Sequence, residues 1–320
     1  MQNHIKIFAG NANRPLAEKI AARVGIPLSV ASIGRFPDGE ISVTYDETVR
    51  GRDVFIVQPT GLQPNEYLME LLIMTDAARR ASAKRITAVV PFFAYARQDR
   101  KDRSRVPISA KLVANLLVAA GVNRVLTVDL HSPQIQGFFD IPVDHLYAAP
   151  LMVRYLREKL PEENRVVVAP DPGGLKMAYS YSQLLGAGLA LAGKHRKSAT
   201  EVEAIELVGD VEGKDCVLTD DMTTTAGTLC SAAQMAKDHG AKSVRAVVSH
   251  CPITPLGIQR LKESAIEELI TTDTLLPQAG WSDFPVTILT VADLLGDAIK
   301  RIFGDESVSK LFEIHQGRTQ

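Results

Sequence analysis

The run Val217-Leu218-Thr219-Asp220-Asp221-Met222-Thr223-Thr224-Thr225-Ala226-Gly227-Thr228 puts two carboxylates at the end of an apolar segment. A hydroxyl-rich loop with one glycine follows, and then a stretch of helical period. Backbone N–H groups at a helix start, ringed by threonine hydroxyls, form a cradle for a phosphate. Carboxylates directly before it suit the hydroxyls of a sugar whose phosphate lies in that cradle. An acidic strand end followed by a threonine N-cap has the same spelling, and spacing alone leaves both readings standing. No Walker lysine follows, and the loop is not Gly-x-Gly-x-x-Gly, which weakens P-loop and dinucleotide readings.

Two further segments end apolar runs in the same way. Val128-Asp129-Leu130-His131-Ser132-Pro133 sets His131 just past a strand end, where it is a metal ligand, a partner for a nucleotide phosphate, or a hydrogen-bonded structural imidazole. Ala169-Pro170-Asp171-Pro172-Gly173-Gly174 closes another strand on a carboxylate. Mg²⁺ beside phosphates takes one or two protein ligands and keeps several waters, so Asp171 is an ordinary ligand for it and His131 an unusual one. The turn 95–105 holds five cationic residues, Arg97, Arg100, Lys101, Arg103 and Arg105, and Gly193-Lys194-His195-Arg196-Lys197 is a second basic loop. Such runs are commonly solvated faces, but polyphosphate transfer needs cations against the charge that develops on the phosphates. Arg35-Phe36-Pro37-Asp38-Gly39-Glu40 reads either as a hairpin turn with solvated acids or as a base-recognition loop with Phe36 stacking on the ring.

These sites need a frame that brings strand ends to one rim. Strand-like runs at 5–9, 41–45, 53–58, 86–91, 124–129, 166–169, 189–192, 215–219 and 244–249 alternate with helical periods at 15–24, 65–81, 109–120, 151–159, 175–185, 228–239 and 255–264. The strands are apolar on both faces, as in Val166-Val167-Val168, which marks parallel strands covered by helices on each side. The alternation predicts a doubly wound α/β architecture, in which ligands gather at the carboxyl ends of strands.

At 320 residues the chain has room for about two domains, with a division near 145–150. Val125-Leu126-Thr127-Val128-Asp129 and Cys216-Val217-Leu218-Thr219-Asp220 echo each other across it, which is compatible with a duplication. A net charge of −1 leaves no basic excess to hold a nucleic-acid backbone. No apolar stretch approaches the roughly 18 residues of a spanning helix. The three cysteines, Cys216, Cys230 and Cys251, are odd in number and lack metal-site spacing, so they read as reduced core residues. The first residues enter a strand without a signal-peptide layout. A cytosolic chain with neither nucleic acid nor membrane as partner is expected.

Taken together, 36–40, 95–101, 129–139, 170–174 and 220–228 resemble the ribose-phosphate pyrophosphokinases (phosphoribosyl pyrophosphate synthetases), with a likeness running from Lys6 to Ser309. The resemblance implies two phosphoribosyltransferase-like domains, 1–147 and 148–304, with 305–320 packed on the first, and assembly as a homohexamer. It implies transfer of the β,γ-pyrophosphoryl group of ATP to the 1-hydroxyl of ribose 5-phosphate, with Mg²⁺, releasing AMP. On that likeness Phe36, Asp38, Gly39 and Glu40 would meet the adenine in a neighbouring subunit, and Arg97 and Gln98 would hold ATP. His131 and Asp171 would serve the Mg²⁺–ATP site. Asp220 and Asp221 would take the ribose hydroxyls, and Thr224, Thr225, Ala226, Gly227 and Thr228 would cradle the 5-phosphate. Lys194 and Arg196 would stabilise the transition state, with Arg196 also on ribose 5-phosphate. Thr48, Arg50, Ser307 and Ser309 would form a regulatory site for inorganic phosphate as activator.

Some positions depart from the family pattern. Its phosphate loop usually reads Asp-Asp-Met-x-Asp-Thr-x-Gly-Thr, and the third acid is Thr224 here; its basic loop usually opens Asp-Lys-Arg-Arg, against Gly193-Lys194-His195-Arg196. Backbone donors survive the first change, and the cations at 194 and 196 survive the second. Thr224 leaves open the alternative of a non-catalytic, regulatory homologue within a synthetase oligomer. A phosphoribosyltransferase would share the loop 220–228 but would not explain 36–40 or the His131 segment.

Overall fold

The computed structural model describes residues 4–195 and 204–311, which form two α/β units. In the first, β1 (Ile5–Ala9) is followed by α1 (Arg14–Val24), a hairpin of β2 (Ala31–Arg35) and β3 (Ile41–Tyr45), β4 (Asp53–Val57) and α2 (Pro64–Arg80). Then come β5 (Arg85–Val90), α3 (Ser109–Ala120), β6 (Arg124–Val128) and β7 (Val143–Leu146). Strands β1, β4, β5, β6 and β7 make one parallel sheet in that order. Phe8, Val54, Ile56, Ala88 and Val90 share a core with Leu71 and Met74 of α2 and Val113 and Leu117 of α3. The alternate residues Ile7, Phe55, Val57 and Val89 are equally buried, on the opposite face. Burial on both faces is what an all-parallel sheet demands.

The second unit contains α4 (Ala149–Lys159), β8 (Arg165–Ala169), α5 (Leu175–Leu185), β9 (Gly188–His195), β10 (Ala204–Val208) and β11 (Asp215–Met222). It continues with α6 (Gly227–Asp238), β12 (Ser243–His250), α7 (Pro255–Lys262), β13 (Glu268–Thr272) and β14 (Val286–Leu289). The sheet order is β10-β9-β8-β11-β12-β13-β14, with β10 alone antiparallel to its neighbour. Strand order therefore runs outward in opposite directions from the β8–β11 pair. A crevice outside the carboxyl ends of such a pair is where an open α/β sheet takes its ligand.

The last helix, α8 (Ala292–Phe303), corrects the expected limits of the second domain. The described residues from Thr290 to Leu311 belong to the first unit, as do Thr274–Leu276, leaving the second with the described parts of Ala148–Asp273 and Pro277–Leu289. The cause is an apolar stripe of Leu295, Ala298, Ile299 and Ile302, all buried, on a helix that packs on α1. The Arg23 guanidinium holds the Asp297 carboxylate at 2.9 and 2.6 Å. Two strands also extend beyond their expected ends: β9 carries on through Gly193, Lys194 and His195, and β11 through Asp220 and Asp221. Five strands and α8 lie where none was expected. Strand β7 hides because its polar residues are paired: Asp144 takes an ion pair from Arg124 at 2.6 Å, across the β6–β7 ladder. Among the described residues no helix is long and apolar enough to cross a membrane.

Candidate functional site

Helix α6 begins without a cap. Its N-cap residue, Ala226, contributes no side-chain hydrogen bond and sits at φ 53°, ψ 9°, a left-handed conformation that costs an L-residue roughly 1–2 kcal/mol. The first N–H groups of a helix have no intrahelical carbonyl to meet, so those of Gly227, Thr228 and Leu229 are offered outward. Backbone donors converging at a helix start, with the dipole behind them, make an anion site. Thr225 and Thr228 are exposed beside it, and Thr223 and Ala226 are buried. The Thr224 hydroxyl oxygen is buried and has no hydrogen-bond partner among the described residues.

Three carboxylates stand at the same switch point. Asp220 Oδ1 accepts from the Asp221 N–H at 2.9 Å. Burial, followed by the charge of Asp221 and then of Asp171, pushes the Asp220 carboxyl up to about 8. Asp171 follows β8 and caps the short 3₁₀ turn Pro172–Gly174, its Oδ1 accepting from the Gly174 N–H at 3.0 Å. Asp171, Gly227 and Thr228 line one cavity of about 860 Å³, bordered also by Gly193, Cys230 and Arg260. The second unit thus brings Asp171, Asp220, Asp221 and the 224–228 loop together. Lys194 lies on β9, paired with Ile205 of β10, and Arg196 falls outside the described residues. Among the described residues no three His, Cys, Asp or Glu side chains are grouped to hold a metal by themselves.

The first unit holds the remaining expected residues on separate loops. His131 is exposed after β6, and Arg97 and Gln98 are exposed after β5; because β5 and β6 are neighbours, both loops leave the same edge of the sheet. Gln98 is fixed by its N–H to the Tyr95 carbonyl at 2.9 Å and by the Ser109 hydroxyl to its Oε1 at 2.6 Å. Phe36, Asp38, Gly39 and Glu40 form the exposed tip of the β2–β3 hairpin. Phe36 exchanges backbone bonds with Glu40 and Gly39 at 2.8 and 2.9 Å, and Gly39 takes φ 94°, which glycine adopts without a steric penalty. Thr48, Arg50, Ser307 and Ser309 are all exposed. Ser309 donates its N–H to Ser307 Oγ at 3.3 Å, but no hydrogen bond or ion pair among the described residues joins that pair to Thr48 or Arg50.

Several residues that shape these loops carry no expectation from the sequence. Asp129 is buried and turns the chain at φ 39° immediately after β6. The Leu130 N–H then donates to His145 Nε2 at 2.9 Å, tying the His131 loop to β7. Glu70, also buried, accepts from the Asn11 N–H and Nδ2 at 2.6 and 2.7 Å and from Gln58 Nε2 at 2.8 Å. That network fixes the loop after β1 with the unit's own side chains. A buried Asp, Glu and His in one small unit is the signal available in the sequence, although nothing there pairs them. Burial pushes the Cys216 and Cys251 thiols up to about 11 and about 12, in keeping with unreactive free thiols.

Residues 5–121 match the family model of the N-terminal domain of ribose phosphate pyrophosphokinase, and 195–313 match that of the phosphoribosyl synthetase-associated domain. The chain is 50% identical over 310 residues to a ribose-phosphate pyrophosphokinase of Brucella melitensis, covering 97% of this chain and 100% of that protein. It is 49% identical to one from a Marinomonas species, with 96% and 98% covered. The crystal structure of phosphoribosylpyrophosphate synthetase from Mycobacterium smegmatis superposes with a TM-score of 0.89 at 43% identity, covering 94% of this chain and 99% of the other.

Proposed function

The chain belongs to the ribose-phosphate pyrophosphokinase family, and we propose that it transfers the β,γ-pyrophosphoryl group of ATP to the 1-hydroxyl of ribose 5-phosphate, giving phosphoribosyl pyrophosphate and AMP. The observation that carries this reading is the uncapped start of α6, shaped by a left-handed Ala226, beside the Asp171–Asp220–Asp221 group at the β8–β11 switch point. A phosphate at Thr225 to Thr228 and a sugar diol against the carboxylates would together account for both halves of the site.

In the reaction the 1-hydroxyl oxygen forms a bond to the β-phosphorus of ATP. The bond from that phosphorus to the α,β-bridging oxygen breaks, AMP leaves with the electron pair, and the hydroxyl proton is released. No covalent protein intermediate is needed, because alignment and charge neutralisation carry such transfers. Asp220 and Asp221 hold the ribose hydroxyls and so set the direction of the 1-hydroxyl. The 224–228 loop anchors the far end of the sugar, and Lys194 and Arg196 oppose charge on the moving phosphates. Arg97, Gln98 and His131 take the ATP phosphates, and Phe36, Asp38, Gly39 and Glu40 read the adenine of a neighbouring subunit's nucleotide.

Mg²⁺ fits the donor set. Burial, with the charges of Asp221 and then Asp171 beside it, raises the Asp220 carboxyl, and carboxylate oxygens are the ligands a hard cation prefers. Asp171, with His131, would hold Mg²⁺ on ATP, where it supplies charge neutralisation of the phosphates. A cytoplasmic homohexamer, activated by inorganic phosphate at Thr48, Arg50, Ser307 and Ser309, completes the reading by likeness to the family.

The test is AMP formation from ATP with Mg²⁺ and phosphate, with and without ribose 5-phosphate. Ribose-dependent AMP release supports the assignment. Well-folded protein that binds ATP and forms no AMP overturns it.

A further inference from the structure

The phosphate loop is held from behind by α7 and the residue that caps it, an element that so far enters the site only through Arg260 at the cavity border. The Thr224 carbonyl accepts twice from one residue on the approach to α7: from the Thr254 N–H at 2.8 Å and from the Thr254 hydroxyl at 3.2 Å. The same hydroxyl accepts from the Gly257 N–H at 3.3 Å and so caps α7. The next carbonyl, that of Thr225, accepts from Arg260 Nη1 at 3.1 Å. At Gly257 a Cβ would lie 2.7 Å from the Thr224 carbonyl oxygen and 2.6 Å from Ile253 Cγ1. Only glycine lets α7 come this close.

Peptide geometry turns these contacts into an orientation. In a trans peptide the C=O of one residue and the N–H of the next point in opposite directions. Carbonyls of Thr224 and Thr225 drawn toward α7 therefore send the N–H groups of Thr225 and Ala226 away from it. The left-handed Ala226 that follows is strained, and strained backbone persists only where its surroundings over-determine it. Arg260 is itself exposed and forms no ion pair among the described residues; its partner is a loop carbonyl, and it lines the cavity with Asp171, Gly227 and Thr228.

We infer that Thr254, Gly257 and Arg260 are positioning residues for ribose 5-phosphate, forming a brace that holds the 224–228 loop in its phosphate-binding shape. The inference rests on the reading that this loop takes the 5-phosphate. It locates part of the substrate affinity in residues that need not touch the substrate.

The experiment is steady-state kinetics on the full chain for Thr254→Val, Thr254→Ser, Arg260→Met and Arg260→Gln, with Thr228→Ala as a control inside the loop. Thr254→Val and Arg260→Met should each raise KM for ribose 5-phosphate about tenfold, with KM for ATP changed less than about twofold and the melting temperature nearly kept. Thr254→Ser and Arg260→Gln, which retain a donor, should recover most of the loss. If Thr228→Ala raises that KM while Thr254→Val and Arg260→Met do not, the brace is refuted and the phosphate reading stands. Should Thr228→Ala leave it unchanged, the phosphate reading fails and the brace falls with it. Parallel losses in both KM values, tracking a fall in melting temperature and not recovered by the donor-keeping variants, would reduce the role to general stability and overturn the inference.

Discussion

Replacing Asp220 by asparagine should stabilise the ligand-free protein, and more so at high pH than at low. Burial, reinforced by Asp221 and then Asp171, raises the Asp220 carboxyl from 3.8 to about 8. A carboxyl with a raised folded value keeps a proton that the unfolded chain has already released. Stability therefore falls as pH climbs between those two values, and none is lost below them. Each tenfold change in proton affinity corresponds to about 1.4 kcal/mol, so the whole displacement amounts to about 5–6 kcal/mol. Relaxation and water entry around a single buried carboxylate leave roughly half of this, about 2–3 kcal/mol, on removal of its charge. Asparagine retains an oxygen for the Asp221 N–H, 2.9 Å from Asp220 Oδ1. Urea unfolding at pH 8 should show a gain of about 2–3 kcal/mol, shrinking below about 1 kcal/mol at pH 5. Turnover should fall as stability rises, since in the proposed site this buried carboxylate is kept for the ribose hydroxyls at a cost to the fold. A variant less stable than wild type at pH 8, or a gain independent of pH, refutes this reasoning and makes Asp220 a structural acceptor.

If Lys194 has the proposed role on the transition-state charge, Lys194→Ala should lower kcat about a hundredfold or more while changing KM for ATP little; equal turnover in variant and wild type removes the role. Burial alone would raise the Glu268 carboxyl, but hydrogen bonds from Thr287 and Tyr155, with the Arg245 charge, hold it below its usual range. Such a carboxylate stabilises above its unfolded pKa, and the contribution is lost as pH falls through the lower folded value. Glu268→Gln should therefore cost about 1–2 kcal/mol at pH 7 and progressively less as pH falls below the unfolded value, as read by denaturant midpoints. Because the Cys216 and Cys251 thiols are buried and pushed up to about 11 and about 12, iodoacetamide at pH 8 should leave both unmodified in the folded chain and alkylate both in guanidinium; fast labelling of native protein contradicts the burial.

The sheets were legible where both faces are apolar. β1, β4, β5, β8 and the body of β11 are nearly continuous hydrophobic runs, and such runs have few other uses in a chain of this composition. Elements stabilised by paired polar groups were not legible. Val143-Asp144-His145-Leu146 is a strand because Arg124 neutralises Asp144 and because the Leu130 N–H finds His145, and neither partnership shows in a window of four residues. α8 failed for a different reason. Its stripe of Leu295, Ile299 and Ile302 was visible, but the surface that receives it is α1, nearly three hundred residues earlier in the chain.

The site divides along the same line. Carboxylates and hydroxyls after apolar runs announce themselves by type, so Asp171, Asp220, Asp221 and the threonines of 224–228 could be named before any geometry was known. What makes them a site is carried by backbone atoms, which every residue has and no sequence distinguishes: the carbonyls of Thr224 and Thr225, the left-handed turn at Ala226, the free N–H groups of α6. Side chains that control backbone from a distance, such as Thr254 and Arg260, look like an ordinary helix cap and a surface cation when read in sequence. Thr224 sharpens the point. Its hydroxyl has no partner among the described residues, yet its carbonyl is gripped by two donors, so the residue's contribution to the loop runs through the main chain, and an anion site built on main-chain donors can tolerate the change of side chain there.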